Sequence, residues 1–238
     1  MVEYIIGYLH SQMATALHWL VVISYITMFY GIILSVLIAD KDSSTSISGC
    51  VSTGTPRTLF TTVAIINSVI IGIILYSFYI WNYERINRYK NFMAFYLTLQ
   101  FFVGISSVFS LSGIALFTMD ENRDAHMTFA ALFFSLSYAH LFMSILIPLV
   151  NCDEEQRFNG WHVLRICLFI CGTLVIIGTQ NGLATDDWTF SNFEWLYITT
   201  YLTYLFSFWN EMKEPVFEPV WRSGTSSGIQ DRGGRRLF

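Results

Sequence analysis

What this sequence lacks most is charge. Only 13% of its 238 residues are Asp, Glu, Lys or Arg, against about a quarter in a soluble globular domain. The few charges gather in short clusters, and the stretches between them run roughly 20 residues or more, the length a helix needs to cross a bilayer. Cysteine is also sparse, at four residues, too few and too scattered for a disulfide framework. Among catalytic signatures there is no HExxH, no paired CxxC and no GxSxG. No strand and no lysine accompany the first glycine-bearing loop, which excludes a nucleotide P-loop. Asp120, Asp124 and His126 stand close together, but without a second histidine nearby they do not make a metal site. No metal and no cofactor are expected, and nothing points to nucleic acid.

What is present is apolar and aromatic: 54% hydrophobic residues, with 17% Phe, Trp or Tyr. Six charge-free stretches run approximately Met13–Ala39, Thr58–Trp81, Phe92–Thr118, His126–Val150, Val163–Ala184 and Ser191–Asn210. In lipid every backbone N–H and C=O needs a partner within its own segment, and a helix supplies one. Barrel strands would be about ten residues long with alternating polarity, which these are not. The fold class expected is therefore all-α: a polytopic membrane protein with one bundle of six transmembrane helices. Short connections make neighbouring helices antiparallel.

Three regions follow: an N-terminal stub at 1–12, a six-helix domain at 13–211 and a tail at 212–238. The tail is rich in Pro, Gly, Ser and charge without periodicity, and reads as disordered. MVEYIIGYLH has no basic n-region, so the first apolar segment is expected to remain as a span. Orientation comes from Lys and Arg, which favour cytoplasmic loops. Arg85, Arg88, Lys90, Arg157, Arg165, Lys213, Arg222, Arg232, Arg235 and Arg236 fall on one side, and only Lys41, Arg57 and Arg123 on the other. Both termini are thus expected in the cytoplasm, with loops 40–57, 119–125 and 185–190 lumenal. Cys50 has no lumenal partner, while Cys167 and Cys171, four apart on one helix face, are expected to pack inside the bundle. Cys152 stands where a palmitate could be attached.

Polar groups inside a membrane are costly and mark candidate sites. His126 and His140 lie about 14 residues apart, which brings their rings onto nearly one face of a helix that also carries Ser137 and Ser144. That face should look into the bundle. At the lumenal ends stand Glu194, Asn192, Asp186, Asp187, Gln180 and Asn181, and Asp120, Glu121, Arg123 and Asp124 crowd toward His126. A carboxylate beside an imidazole can orient it for proton transfer, and it can equally well satisfy polar groups at a membrane surface. In SSTSISGCVSTGTPRTLFTT, Gly49, Gly54 and Pro56 allow turns. Arg57 at the start of the second span is suited to a phosphate, since guanidinium and helix dipole act together.

Three segments resemble the Frag–DRAM–Sfk family of six-span proteins: ISGCVSTGTPRTLF, ENRDAHMTFAALFFSLSYAH and FSNFEWLYITTYLTYLFSFW. With the paired histidines, the chain looks most like the branch called post-GPI-attachment-to-proteins factor two. That resemblance implies a lipid-handling protein of the secretory pathway, chiefly the Golgi, acting in fatty-acid remodelling of GPI anchors. Its partners would be membrane lipids, GPI-anchored proteins and other membrane proteins. The positions it carries over are Gly54, Pro56, His126, His140 and Glu194. If the chain transfers the acyl group itself, His126 is the expected general base, helped by Glu194 or Asp124. Gly54, Pro56, Arg57 and His140 would then bind substrate. Other branches imply a non-enzymatic regulator, at lysosomes in autophagy or as a lipid-kinase scaffold at the plasma membrane, working through NYERINRYKN and the tail. A structural subunit of a larger membrane assembly is the remaining alternative.

Overall fold

The computed structural model describes residues 2–39, 47–51, 53–86, 91–150, 160–180 and 187–209. They form α1 (Val2–Leu37), a single-turn α2 (Ile47–Cys50), α3 (Gly54–Ile86), α4 (Asn91–Leu116), α5 (Arg123–Val150), α6 (Gly160–Gln180) and α7 (Asp187–Phe206). A 3₁₀ turn at Ser207–Trp209 ends the last helix, and there is no strand among the described residues. Each of the six charge-free stretches coincides with one long helix. Five helices (α1, α3, α4, α5 and α6) are long and apolar enough to cross a membrane. With 20 residues, α7 reaches about 30 Å, yet its threonines, tyrosines and Glu194 keep it less apolar than the others. From Val2 the stretch read as an N-terminal stub is helical and continuous with α1.

Local sequence sets the ends that matter here. Gly54 adopts φ 64°, a left-handed conformation that glycine takes without the clash a Cβ brings. Pro56 follows in the first turn of α3, where a missing N–H costs nothing. At α5 the Asn122 side chain accepts the Ala125 amide at 3.1 Å, an N-cap that satisfies one free donor.

The long helices pack as a ring in chain order, α1 against α3, then α4, α5, α6 and α7, with α7 closing onto α1. In lipid, apolar surface gains little by burial, so close approach and polar bonds hold helices together. Ser24 donates to Asn67 at 2.9 Å between α1 and α3, and Ser112 to Ser68 at 2.9 Å between α4 and α3. The Tyr96 hydroxyl reaches the Met143 carbonyl at 2.8 Å, tying α4 to α5. Outward faces carry Phe92, Phe95, Phe109 and Leu174, all largely exposed, as lipid-facing positions should be. Cys167 and Cys171 belong to that outer surface too. Their shared face was expected to turn inward; it turns outward because Arg165 and His162 take the inner face of α6 instead.

One face of α7 fills the centre of the ring. Tyr197, Tyr201 and Tyr204 are buried there, each bonded to a facing helix: Tyr197 with Ser137 at 2.8 Å, Tyr201 with Ser107, and Tyr204 with His140 Nδ1 at 2.7 Å. The tyrosine face of α7 is therefore a stack of satisfied polar pairs set in apolar packing. No hydroxyl in those pairs is left facing hydrocarbon.

Candidate functional site

The single-turn α2, the α4–α5 connection and the start of α7 stand at one end of the bundle. Glu194, two turns into α7, is the residue that joins them. Its Oε2 accepts the Ile47 amide at 2.9 Å, and its Oε1 accepts the Ser48 hydroxyl at 2.6 Å. The Ser48 amide also donates to the carboxylate. A four-residue helix has no internal partners for its first amides, and here the carboxylate of a distant helix supplies them. Glu194 thus caps α2 from across the bundle and pins it over the helix ends. Ile47 and Cys50 turn inward beneath it.

His126, in the first turn of α5, is buried. Its Nδ1 stands 2.7 Å from the Phe117 carbonyl oxygen. A carbonyl can only accept, so Nδ1 carries the hydrogen, and in the neutral ring Nε2 is the lone-pair nitrogen. The ring is close enough to Glu194 for the two to interact electrostatically. Next to the bonded carbonyl, the Thr118 side chain is 96% buried (4% exposed) and its hydroxyl has no hydrogen-bond partner. A buried hydroxyl without a partner costs about 1–3 kcal/mol. Carboxylate and imidazole therefore stand within electrostatic reach of each other at one end of the bundle, where the carboxylate also caps a single helical turn.

The expected site residues distribute unevenly around this cluster. His126 and Glu194 are brought together. Arg57 stands at the same end, but its Nη2 pairs with Glu121 Oε2 at 2.6 Å. Gly54 and Pro56 shape the turn that presents Arg57. Asp124 is exposed on the first turn of α5, and its carboxylate forms no ion pair with His126 among the described residues. His140 shares the inward face of α5, but about 21 Å along the helix from His126. It is held by Tyr204 and the 3₁₀ turn, with its ring 6.4 Å from that of Phe208. Asn192 is exposed, while the side chains of Gln180 and Asp187, together with Asn181, Asp186, Cys152, residues 87–90 and the tail, lie outside what is described.

Two participants were not singled out from sequence. Ser48 and Thr118 look like ordinary loop hydroxyls, and only their partners, or want of one, distinguish them. The other omission is Arg165, counted above among loop charges. It is 1% exposed, donates from Nε to Ser207 at 2.7 Å, and lies 4.8 Å over the Phe208 ring. With His162 and His140 it forms a second polar cluster at the opposite end, linking α5, α6 and α7. The signal available was its place inside GWHVLRICLFICG, three residues after His162 and hence on the same helix face.

A family model described as the Frag1/DRAM/Sfk1/Cwh43P N-terminal domain matches residues 13–214. That span contains α2, α7 and every residue of both clusters. No curated protein and no solved structure matches the chain.

Proposed function

Since the chain belongs to the Frag1/DRAM/Sfk1/Cwh43P N-terminal-domain family, we propose that it is a lipid-handling membrane protein of the secretory pathway, acting in fatty-acid remodelling of GPI anchors. In this reading α7 is a sixth span, both termini are cytoplasmic and the α2 end faces the lumen, most of the protein residing in the Golgi. The observation that carries it is the buried His126, anchored on the Phe117 carbonyl within electrostatic reach of the Glu194 carboxylate that caps α2, with the unpartnered Thr118 hydroxyl next to that carbonyl. At the end of a transmembrane bundle that cluster lies at headgroup depth, where the ester and hydroxyl groups of a lipid would reach it.

In this reading the two residues have different roles. Glu194 holds three donors of α2, so it acts as a positioning residue. His126, with Nδ1 anchored on a carbonyl, offers Nε2 to a lipid hydroxyl. If the chain transfers the acyl group, Nε2 would take the hydroxyl proton as general base. If it presents the lipid to a separate transferase, the same nitrogen would only bind.

The test is mass spectrometry of the anchor lipid in cells lacking this chain. Loss of the saturated remodelled species, restored by the wild type but not by His126→Ala or Glu194→Gln, supports the reading. An unchanged anchor lipid ends it. Purified chain in proteoliposomes, given lysolipid and an acyl donor, then separates transfer from presentation.

A further inference from the structure

An open groove of about 720 Å³ lies beside the cap, on the flank of the α3–α4 pair, lined by Gly54, Arg57, Thr58, Thr61, Thr62 and Leu116 among others. The hydrogen-bonding state of its walls selects a ligand. Thr61 donates to the Ala115 carbonyl at 2.8 Å, Thr62 to Thr58 at 2.8 Å, and Thr58 to Gly54 at 3.3 Å. Each hydroxyl has one hydrogen, and all three are committed to backbone oxygens, so what they offer a ligand is lone pairs. Those three threonines therefore accept hydrogen bonds from a ligand that itself donates, and Thr55 completes the lining.

Arg57 supplies the opposite character. Its guanidinium has five N–H donors, and Nη2 is held by Glu121 in a pair whose side chains are 35% and 48% exposed. Exposed pairs of this kind contribute little and exchange readily, whereas a phosphate takes a guanidinium in two-point geometry. Below the groove, Ile65, Ile66 and Val69 of α3 are exposed and apolar, a surface along which acyl chains can lie. A matching ligand has an anionic phosphate, free hydroxyls and hydrocarbon tails.

We propose that this groove binds a phospholipid with a hydroxyl-bearing headgroup, its phosphate on Arg57 and its hydroxyls donating to Thr58 and Thr62, and that Glu121 competes for Arg57 in the empty state. This rests on the lipid-handling reading above and names the lipid chemistry which that reading leaves open. The soluble headgroup carries the same polar chemistry, so the test separates it from the lipid.

The full-length chain in phosphatidylcholine nanodiscs is titrated with fluorescent phosphatidylinositol and, separately, with fluorescent phosphatidic acid. Arg57→Ala should weaken both by about tenfold, and Glu121→Gln should tighten both by about threefold. Thr58→Val combined with Thr62→Val should erase the preference for phosphatidylinositol and leave phosphatidic acid unchanged. Should Arg57→Ala fail to fold, the gain in Glu121→Gln still decides, because misfolding cannot tighten binding. Equal affinity in all variants overturns the proposal, as does a site that takes free inositol 1-phosphate as tightly as the lipid. Anchor lipids that change in knockout cells while nanodisc binding ignores Arg57 would sink the groove and spare the function. Arg57-dependent binding with unchanged anchors would do the reverse.

Discussion

The carboxylate of Glu194 and the amide of Ile47 meet at 2.9 Å across 147 residues of chain. This contact fixes α2 over the end of the bundle, because a one-turn helix has too few internal bonds to hold its own place. The carboxylate with its three donors acts together with the burial of Ile47, Cys50 and Val51 in holding the cap.

Removing that carboxylate should loosen α2 and leave the bundle intact. In Glu194→Ala the freed donors and the lost anchor cost about 1–3 kcal/mol locally. The Cys50 thiol, buried on the inner face of α2, should then react with a small maleimide at least about tenfold faster than in the wild type. An unchanged labelling rate would mean that other contacts hold α2.

His126 can be divided into its two nitrogens. Asn at this position carries an amide near the Nδ1 place and nothing near Nε2, so His126→Asn should keep the Phe117 bond and the melting temperature. It should lose anchor remodelling. His126→Gln, which reaches toward the Nε2 place, should lose about 1 kcal/mol of stability and keep more of the function. The opposite order in the two assays would reverse the roles given to the nitrogens.

Gly104 touches His140. A Cβ built there would stand 2.8 Å from His140 Cδ2 and 2.9 Å from Nε2, closer than such atoms approach. His140 cannot swing away without breaking its bond to Tyr204. Gly104→Ala should therefore destabilise the detergent-solubilised chain by about 1–3 kcal/mol, read as a lower thermal midpoint. Tyr204→Phe should act in the same direction by about 1 kcal/mol, since it leaves a ring nitrogen unsatisfied.

Arg165 is held by shape as much as by charge. Lysine at this position keeps the charge but loses the Nε bond to Ser207 and the planar face over Phe208. Arg165→Ala should cost about 2–4 kcal/mol, and Arg165→Lys should recover less than half of it. Full recovery by lysine in thermal unfolding would show that only the charge matters.

The membrane class, the helices and their order were legible in sequence, because spacing between charges is a local property and lipid permits only structures that satisfy their own backbones. The inward face of α5 was legible for the same reason: His126, Ser137, His140 and Ser144 recur at helical intervals. Even the central face of α7 is written there, as Glu194, Tyr197, Tyr201 and Tyr204 at steps of three and four. The partners were not. Nothing local tells that Glu194 caps Ile47 and Ser48, that Arg57 chooses Glu121, or that His126 bonds a backbone carbonyl and leaves Asp124 outside. Nor does composition tell that Arg165 is interior while Cys167 and Cys171 face lipid. Those outcomes depend on which helix ends meet and at what rotation, and such contacts join residues far apart in the chain. Sequence alone decided that there are membrane helices with polar inner faces; packing alone decided which polar groups pair, and so where a lipid could be held.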